Sequence, residues 1–267
     1  MHIRPIFDPE KAGRPMRVAA FMSGSGTNIR RLLEHQKLLE KKEGLPPFEV
    51  IFIFSDRSDG TCQGERLAYE YGLPYFSYDI RMFHKIRGLK RNVLTPEGLA
   101  ARKQYDRLAQ NLVAAFEIDV IALGGYMSYI TLKGCINVHP ADLSILTPEG
   151  KRKYTGDHAV RDAIAAGETE LRASTLWTDE GVDTGPLLMV SDPLPVQLPR
   201  PLKELLGDPA AFERVVNEHQ ERLKKVGDWK IFPRTVELIA RGCFALDENN
   251  SVYMDGKPIP DGYREHL

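Results

Sequence analysis

The stretch Met16-Arg17-Val18-Ala19-Ala20-Phe21-Met22-Ser23-Gly24-Ser25-Gly26-Thr27-Asn28 decides how the chain is read. A short apolar run meets a Gly-rich turn, and a helical pattern follows from Ile29 to about Glu40, with Leu32, Leu33, Gln36 and Leu39 on one face. Strand, turn and helix in this order point backbone N–H groups at the helix N-terminus, where an anion is stabilised. Gly24 and Gly26 let the backbone come close, Thr27 and Asn28 can cap and donate, and Ser25 lies between them. The turn lacks the lysine of a nucleoside-triphosphate loop, and it lacks the later glycine of a dinucleotide loop. A single phosphate monoester fits its length. A Gly-rich turn with no ligand is the alternative.

Working outward, Phe48–Phe54 reads as a second strand and Ile118–Leu123 as a third, nearly all apolar as in a parallel strand covered on both faces. Helical segments are expected at about Cys62–Tyr71 and, opened by Thr95-Pro96-Glu97, to about Phe116. The alternation implies an α/β fold: a doubly wound, mostly parallel sheet with helices on both faces, Rossmann-like. Ligands in such sheets bind beyond the C-terminal strand ends, where the loops after Met22, Leu123 and Val138 should lie.

The third of these loops follows Cys135-Ile136-Asn137-Val138-His139-Pro140. On an extended segment Asn137 and His139 leave one face while Ile136 and Val138 face a core, and Pro140 ends the strand. An amide donor beside an imidazole can hold a developing oxyanion and manage a proton. The same two residues could equally satisfy loop backbone groups. Further on, Ser174–Trp177 reads as a strand. It leads into the acidic loop Thr178-Asp179-Glu180-Gly181-Val182-Asp183-Thr184-Gly185-Pro186, whose spacing is not that of a calcium loop. Leu187–Val190 resumes an apolar strand, a helix is expected at 230–242, and Asp255-Gly256 marks a terminal hairpin turn. Tyr126–Ile130 is a loop of large side chains, either core or the wall of a flat-ligand pocket.

The chain has 267 residues, 42% hydrophobic and 27% charged, with a formal net charge of −1. That is ordinary globular composition. The charge gives no reason to expect a nucleic-acid or membrane-surface partner. Cys62, Cys135 and Cys243 are far apart and form neither a disulfide framework nor a metal-ligand spacing, which fits a reducing, cytoplasmic setting. No apolar run suggests a signal peptide or a membrane span. Residues 1–15 read as an N-terminal extension and 16–267 as a single domain, with inserted segments near 80–95, 141–153 and 196–227. The first insert is expected to be a loop.

From about Arg17 to Tyr263 these stretches, in order, resemble the phosphoribosylglycinamide formyltransferases of purine synthesis. SGSGTN resembles that family's phosphate loop, LGGYMSYI its folate-pocket strand end, and NVHP its catalytic Asn-x-His-Pro. TDEGVDTGP resembles its acidic loop, and YMDGKPIPDGY its closing hairpin. The resemblance implies formyl transfer from 10-formyltetrahydrofolate, a co-substrate, with no metal. Asn137, His139 and Asp183 would be catalytic. Gly24, Ser25, Gly26, Thr27, Asn28, Pro140 and Asp228 would bind the amine substrate. Arg102, Met127, Ser128, Tyr129, Ile130 and Asp179 would bind the folate. The partners would be small molecules, the protein a monomer or homodimer.

An ionised Asp183 near His139 is expected to raise the imidazole pKa, so that a charged ring donates to the oxyanion. Departures from the family are also visible. Ala141-Asp142-Leu143 replaces a Ser-Leu-Leu-Pro-like run, and Tyr154-Thr155-Gly156 comes late. Ser128 stands where Arg is common, Asp228 where Glu is common, and Thr175 near a frequent His. These changes leave open another phosphorylated amine as acceptor, formyltetrahydrofolate hydrolysis, or folate binding without turnover. The missing third glycine argues against a nicotinamide dehydrogenase.

Overall fold

A computed structural model describes residues 2–267. The chain forms two compact units, one of Phe7–Asn137 and one of Val138–Leu267 together with residues up to Ile6. Both lie within the stretch expected to be a single domain with a short extension.

In the first unit, β1 (Met16–Met22) leads through the Gly-rich turn into α1 (Thr27–Glu43). Then come β2 (Phe48–Ser55), α2 (Gly64–Tyr71), β3 (Tyr75–Ser77), α3 (Ile80–Arg87), α4 (Pro96–Ala115), β4 (Val120–Leu123) and β5 (Cys135–His139). The strands are parallel, in the order β3-β2-β1-β4-β5. The chain runs outward from β1 in both directions. With right-handed crossovers, this puts helices on opposite faces and makes the β1/β4 junction the switch point. The α/β expectation is met.

Beneath the sheet face, Phe21, Phe52, Phe54 and Tyr126 form one aromatic core, with Phe21 and Phe54 ring centres 4.7 Å apart. Leu32, Leu33 and Leu39 of α1 are buried as the helical spacing requires. Gln36 on the same face accepts from the Val50 amide at 2.9 Å. Thr95 caps α4, accepting from the Gly98 amide at 3.1 Å.

Residues 80–95 correct the expectation of a loop, because their first half is helix α3. Asp79 accepts from the Met82 amide at 2.8 Å, and Gly88, at φ 60°, closes the C-terminus. Ile80 and Phe83 are buried three residues apart, a helical spacing obscured in the sequence by intervening basic residues.

In the second unit, β5 ends at His139 and an irregular segment leads to α5 (Ala159–Ala165). Strands β6 (Ser174–Trp177) and β7 (Leu187–Val190) pair antiparallel and enclose the acidic loop. Leu143, Leu176, Leu187 and Val190 form a small core. Helices α6 (Leu202–Leu206) and α7 (Pro209–Leu223) follow. A π-helical turn, Lys224–Asp228, then leads into α8 (Trp229–Ala240). Thr175 on β6 and Thr235 on α8 share a hydrogen bond of 2.8 Å.

Strands β8 (Phe244–Leu246), β9 (Val252–Met254) and β10 (Lys257–Pro258) close the chain as a meander. Asp255 and Gly256 turn it with φ of 49° and 77°, the left-handed pair a tight hairpin needs. Arg4–Pro5, within the expected N-terminal extension, add an antiparallel strand to β8. Among the described residues no helix is long and apolar enough to cross a membrane.

Candidate active site

The first unit brings two expected loops together at its switch point. The Ser23 amide donates to the Gly125 carbonyl at 3.1 Å, and the Met127 amide donates to Ser23 Oγ at 2.9 Å. Gly26 is the N-cap of α1 at φ 69°, and no side chain caps that end. The first N–H groups of α1 are therefore left for a ligand or water. A Cβ at Gly26 would lie 2.5 Å from Met22 Cε, the movable end of a flexible side chain, so the left-handed φ is the stronger reason for glycine. Asn28 Oδ1 is buried with no hydrogen-bond partner. Gly24 and Ser25 complete the turn, and Gly24 accepts from the Gln63 amide at 3.0 Å. An uncapped helix start of this kind can hold an anion.

The loop after β4 divides. Ile130 is buried in the aromatic core, whereas Met127 is exposed. Ser128 donates to Asp56 Oδ2, and Asp56 is a buried carboxylate at the end of β2 that sequence reasoning passed over. Tyr129 lies between Ser128 and Ile130, half-buried. Arg102 is buried, 1% exposed, and its Nη1 has no hydrogen-bond partner. Its Nη2 lies 2.8 Å from Asp106 Oδ1 and 3.1 Å from the Tyr126 hydroxyl. Asn137, half-buried, pairs in register with Leu123 at the C-terminal edge of the sheet.

The second unit builds its site around His139. Val138 and His139 are both buried at the strand end. The Ala141 amide donates back to the His139 carbonyl at 2.9 Å, turning the chain at Pro140. Ser174 Oγ anchors the next residues, donating to the Ala141 carbonyl at 2.7 Å and accepting from the Leu143 amide at 3.0 Å. Pro140 itself lines a small cleft with Asp142, Tyr154 and Arg172.

Asp183 Oδ2 lies 3.5 Å from His139 Nδ1 and accepts from the Gly156 amide at 2.9 Å. Two residues 44 apart in the chain therefore meet, as the sequence required. Asp183 has φ 54°, a left-handed conformation rare outside glycine and costly unless its surroundings impose it. Gly185 is needed for close approach, since a Cβ there would lie 1.9 Å from the Trp177 carbonyl oxygen. Asp179 stabilises the loop from within, accepting from the Gly181 amide at 2.9 Å and the Thr184 hydroxyl at 2.6 Å. Asp228 is buried on the π turn.

His139 reverses one expectation. Burial pushes its imidazole below the ordinary value. Asp183, the Tyr154 backbone and Asp157 pull the other way, Arg152 adds to the lowering, and burial prevails. The ring is thus held neutral, not charged. Its Nε2 is buried and has no hydrogen-bond partner.

Arg152 is another residue that sequence reasoning passed over. It donates to the backbone carbonyl of Asp183, and to that of Gly185 at 2.7 Å. Nothing in the insertion's composition singles it out from its neighbours Lys151 and Lys153.

Comparison with known proteins gives the chain a family. Residues 16–197 match the model of the family described as formyl transferase. The trifunctional purine biosynthetic protein adenosine-3 of Drosophila melanogaster is 27% identical over 86% of this chain, which spans 14% of that protein's length. The phosphoribosylglycinamide formyltransferase of Haemophilus influenzae is 23% identical, over 92% of this chain and 98% of that one. Among solved structures, the phosphoribosylglycinamide formyltransferase of Coxiella burnetii shares the fold with a TM-score of 0.64 at 23% identity, covering 94% of this chain and 99% of that one. A formyltetrahydrofolate deformylase from Pseudomonas syringae shares it with a TM-score of 0.58 at 16% identity, covering 91% of this chain and 67% of that one.

Proposed function

Because the chain belongs to the formyl transferase family, we propose that it moves a formyl group from 10-formyltetrahydrofolate to the primary amine of phosphoribosylglycinamide, in purine synthesis. The observation that carries this reading is the buried His139–Asp183 pair, with its second ring nitrogen uncommitted. The uncapped start of α1 supports a phosphate-bearing acceptor.

The neutral imidazole sets the order of events. With Nδ1–H directed at Asp183, Nε2 presents a lone pair. The substrate amine attacks the formyl carbon, a C–N bond forms, and the carbonyl oxygen becomes an oxyanion. Asn137 donates its amide N–H to that oxygen, an interaction typically worth ~3–4 kcal/mol. Nε2 takes the proton from the attacking nitrogen, and Asp183 stabilises the imidazolium so formed. The proton then passes to N10 of the folate as the C–N10 bond breaks, and tetrahydrofolate leaves. Because Nε2 is screened from solvent, the groups covering it must shift as substrate enters. The Gly24–Asn28 turn holds the ribose phosphate, and Met127, Ser128 and Tyr129 contact the folate.

The test is an assay of the purified full chain with 10-formyltetrahydrofolate, with and without phosphoribosylglycinamide. Formyl transfer that depends on the amine is expected. Formate release without the amine would identify a hydrolase, and no turnover under either condition would overturn the enzymatic reading.

A further inference from the structure

The segment after Pro140, expected to be an insertion, is not an unstructured excursion. Leu146 and Arg152 form an antiparallel bridge. The Thr147 amide donates to the Lys151 carbonyl at 2.7 Å, and the Lys153 amide to the Ile145 carbonyl at 3.0 Å. Gly150, at φ 76°, makes the turn. The insertion is a small hairpin, and its returning arm presents Arg152.

One Arg152 nitrogen, Nη1, donates to the carbonyl of Asp183, and the other, Nη2, donates to that of Gly185 at 2.7 Å. A single planar group thus bridges two carbonyls that stand two residues apart on either side of Thr184. Asp183, whose own carbonyl is one of the two, keeps its left-handed φ of 54° and faces His139 Nδ1 at 3.5 Å. We propose that Arg152 is the positioning residue for Asp183: its guanidinium fork locks the backbone at 183–185 so that the carboxylate is held against His139, which makes the inserted hairpin a working part of the active site. This rests on the catalytic reading of His139 and Asp183 given above.

The chemistry selects arginine. A guanidinium offers two parallel N–H donors at fixed spacing, whereas an ammonium is a point charge that serves one carbonyl well. Arg152 is half-buried, so its charge also acts on the imidazole with little screening. The charged or polar groups facing His139 are Asp183, the Tyr154 backbone, Arg152 and Asp157. Of these, only Arg152 also grips the loop that carries Asp183.

Two variants of the full chain separate fork from charge. Arg152→Lys keeps the charge and loses the fork, and Arg152→Ala loses both. Each should lower kcat roughly 10- to 100-fold, as expected when a reacting group is misplaced by about 1 Å, while the KM values stay within about twofold. Only Arg152→Ala should shift the acidic limb of the kcat profile to higher pH, because it removes a cation beside the imidazole. Independently of turnover, amide hydrogen exchange at 181–185 should quicken in both variants. Unchanged exchange there, with kcat unchanged in both variants while His139→Asn abolishes turnover, would overturn the clamp. Should His139→Asn keep its turnover, the catalytic reading fails instead, and the exchange rates alone decide whether Arg152 holds the loop.

Discussion

Each of the two units buries a basic side chain against a carboxylate, and the two pairs are anchored to very different degrees. In the first unit Arg102 and Asp106 meet at 2.8 Å, one helical turn apart on α4. Asp106 also accepts from the Thr131 amide at 2.8 Å and its hydroxyl at 2.7 Å, while Arg102 donates to Tyr126. In the second unit His139 and Asp183 stand 3.5 Å apart, at the edge of hydrogen-bonding range, and His139 Nε2 has no partner. A buried pair that only supports structure compensates its desolvation with further hydrogen bonds. Each pair leaves one buried nitrogen without a partner, Nη1 of Arg102 and Nε2 of His139, so what sets them apart is how many hydrogen bonds tie the partners down. Tight anchoring in the first pair and loose contact in the second separate two clusters whose residue types alone would not.

The largest effect should fall on the looser pair. Replacing His139 with Asn should lower kcat by about 10³-fold or more, equivalent to ~4 kcal/mol, since it removes the proton acceptor. Thermal unfolding should barely move, because the lost nitrogen lacks a partner. A large loss of Tm alongside activity would show that His139 is a structural residue and erase the contrast.

Asp106→Ala should give the reverse pattern. Leaving Arg102 buried without its carboxylate should cost about 3 kcal/mol or more in urea unfolding. Activity per folded molecule should be kept. If instead that variant unfolds normally but loses affinity for the folate, Arg102 serves the ligand after all and the first pair is not structural.

The uncapped start of α1 gives a smaller effect. At Gly26, alanine must take φ 69° and meet Met22, so Gly26→Ala should cost on the order of 1–2 kcal/mol in stability. It should also raise the KM for the phosphorylated amine more than that for the folate. Equal changes in both would mean that the turn shapes the unit without holding phosphate.

How much of this was readable in advance follows the range of the interactions involved. The Met16–Asn28 strand and turn, the Thr95 cap and the Asp255-Gly256 turn were legible because each is encoded within a few neighbouring residues. Helix α3 was hidden because its buried residues, Ile80 and Phe83, sit among basic side chains that blur the apolar pattern. Arg152 was illegible because the two carbonyls it serves lie 31 and 33 residues away, and backbone carbonyls carry no residue-type signal. The meeting of His139 with Asp183 could be anticipated from the resemblance. The sign of the imidazole's perturbation could not, since it depends on how far tertiary packing excludes water, and no motif states that.

That sign makes the smallest and most discriminating prediction. The folded-state pKa of His139 lies below its unfolded value, near 6.5. Above that value both states leave the ring neutral, and His139 does not affect the pH dependence of folding. As pH falls below it, the unfolded chain takes up a proton that the folded chain refuses. Stability then declines until the folded-state pKa is also passed. His139→Asn has no such proton to refuse, so its stability should fall less steeply than that of the wild type from about pH 6.5 downward. Denaturant unfolding at several pH values reads the difference directly. A steeper fall in the variant would mean that Asp183 wins over burial and the ring is charged in the folded protein. The proton-accepting step would then have to be assigned to another group.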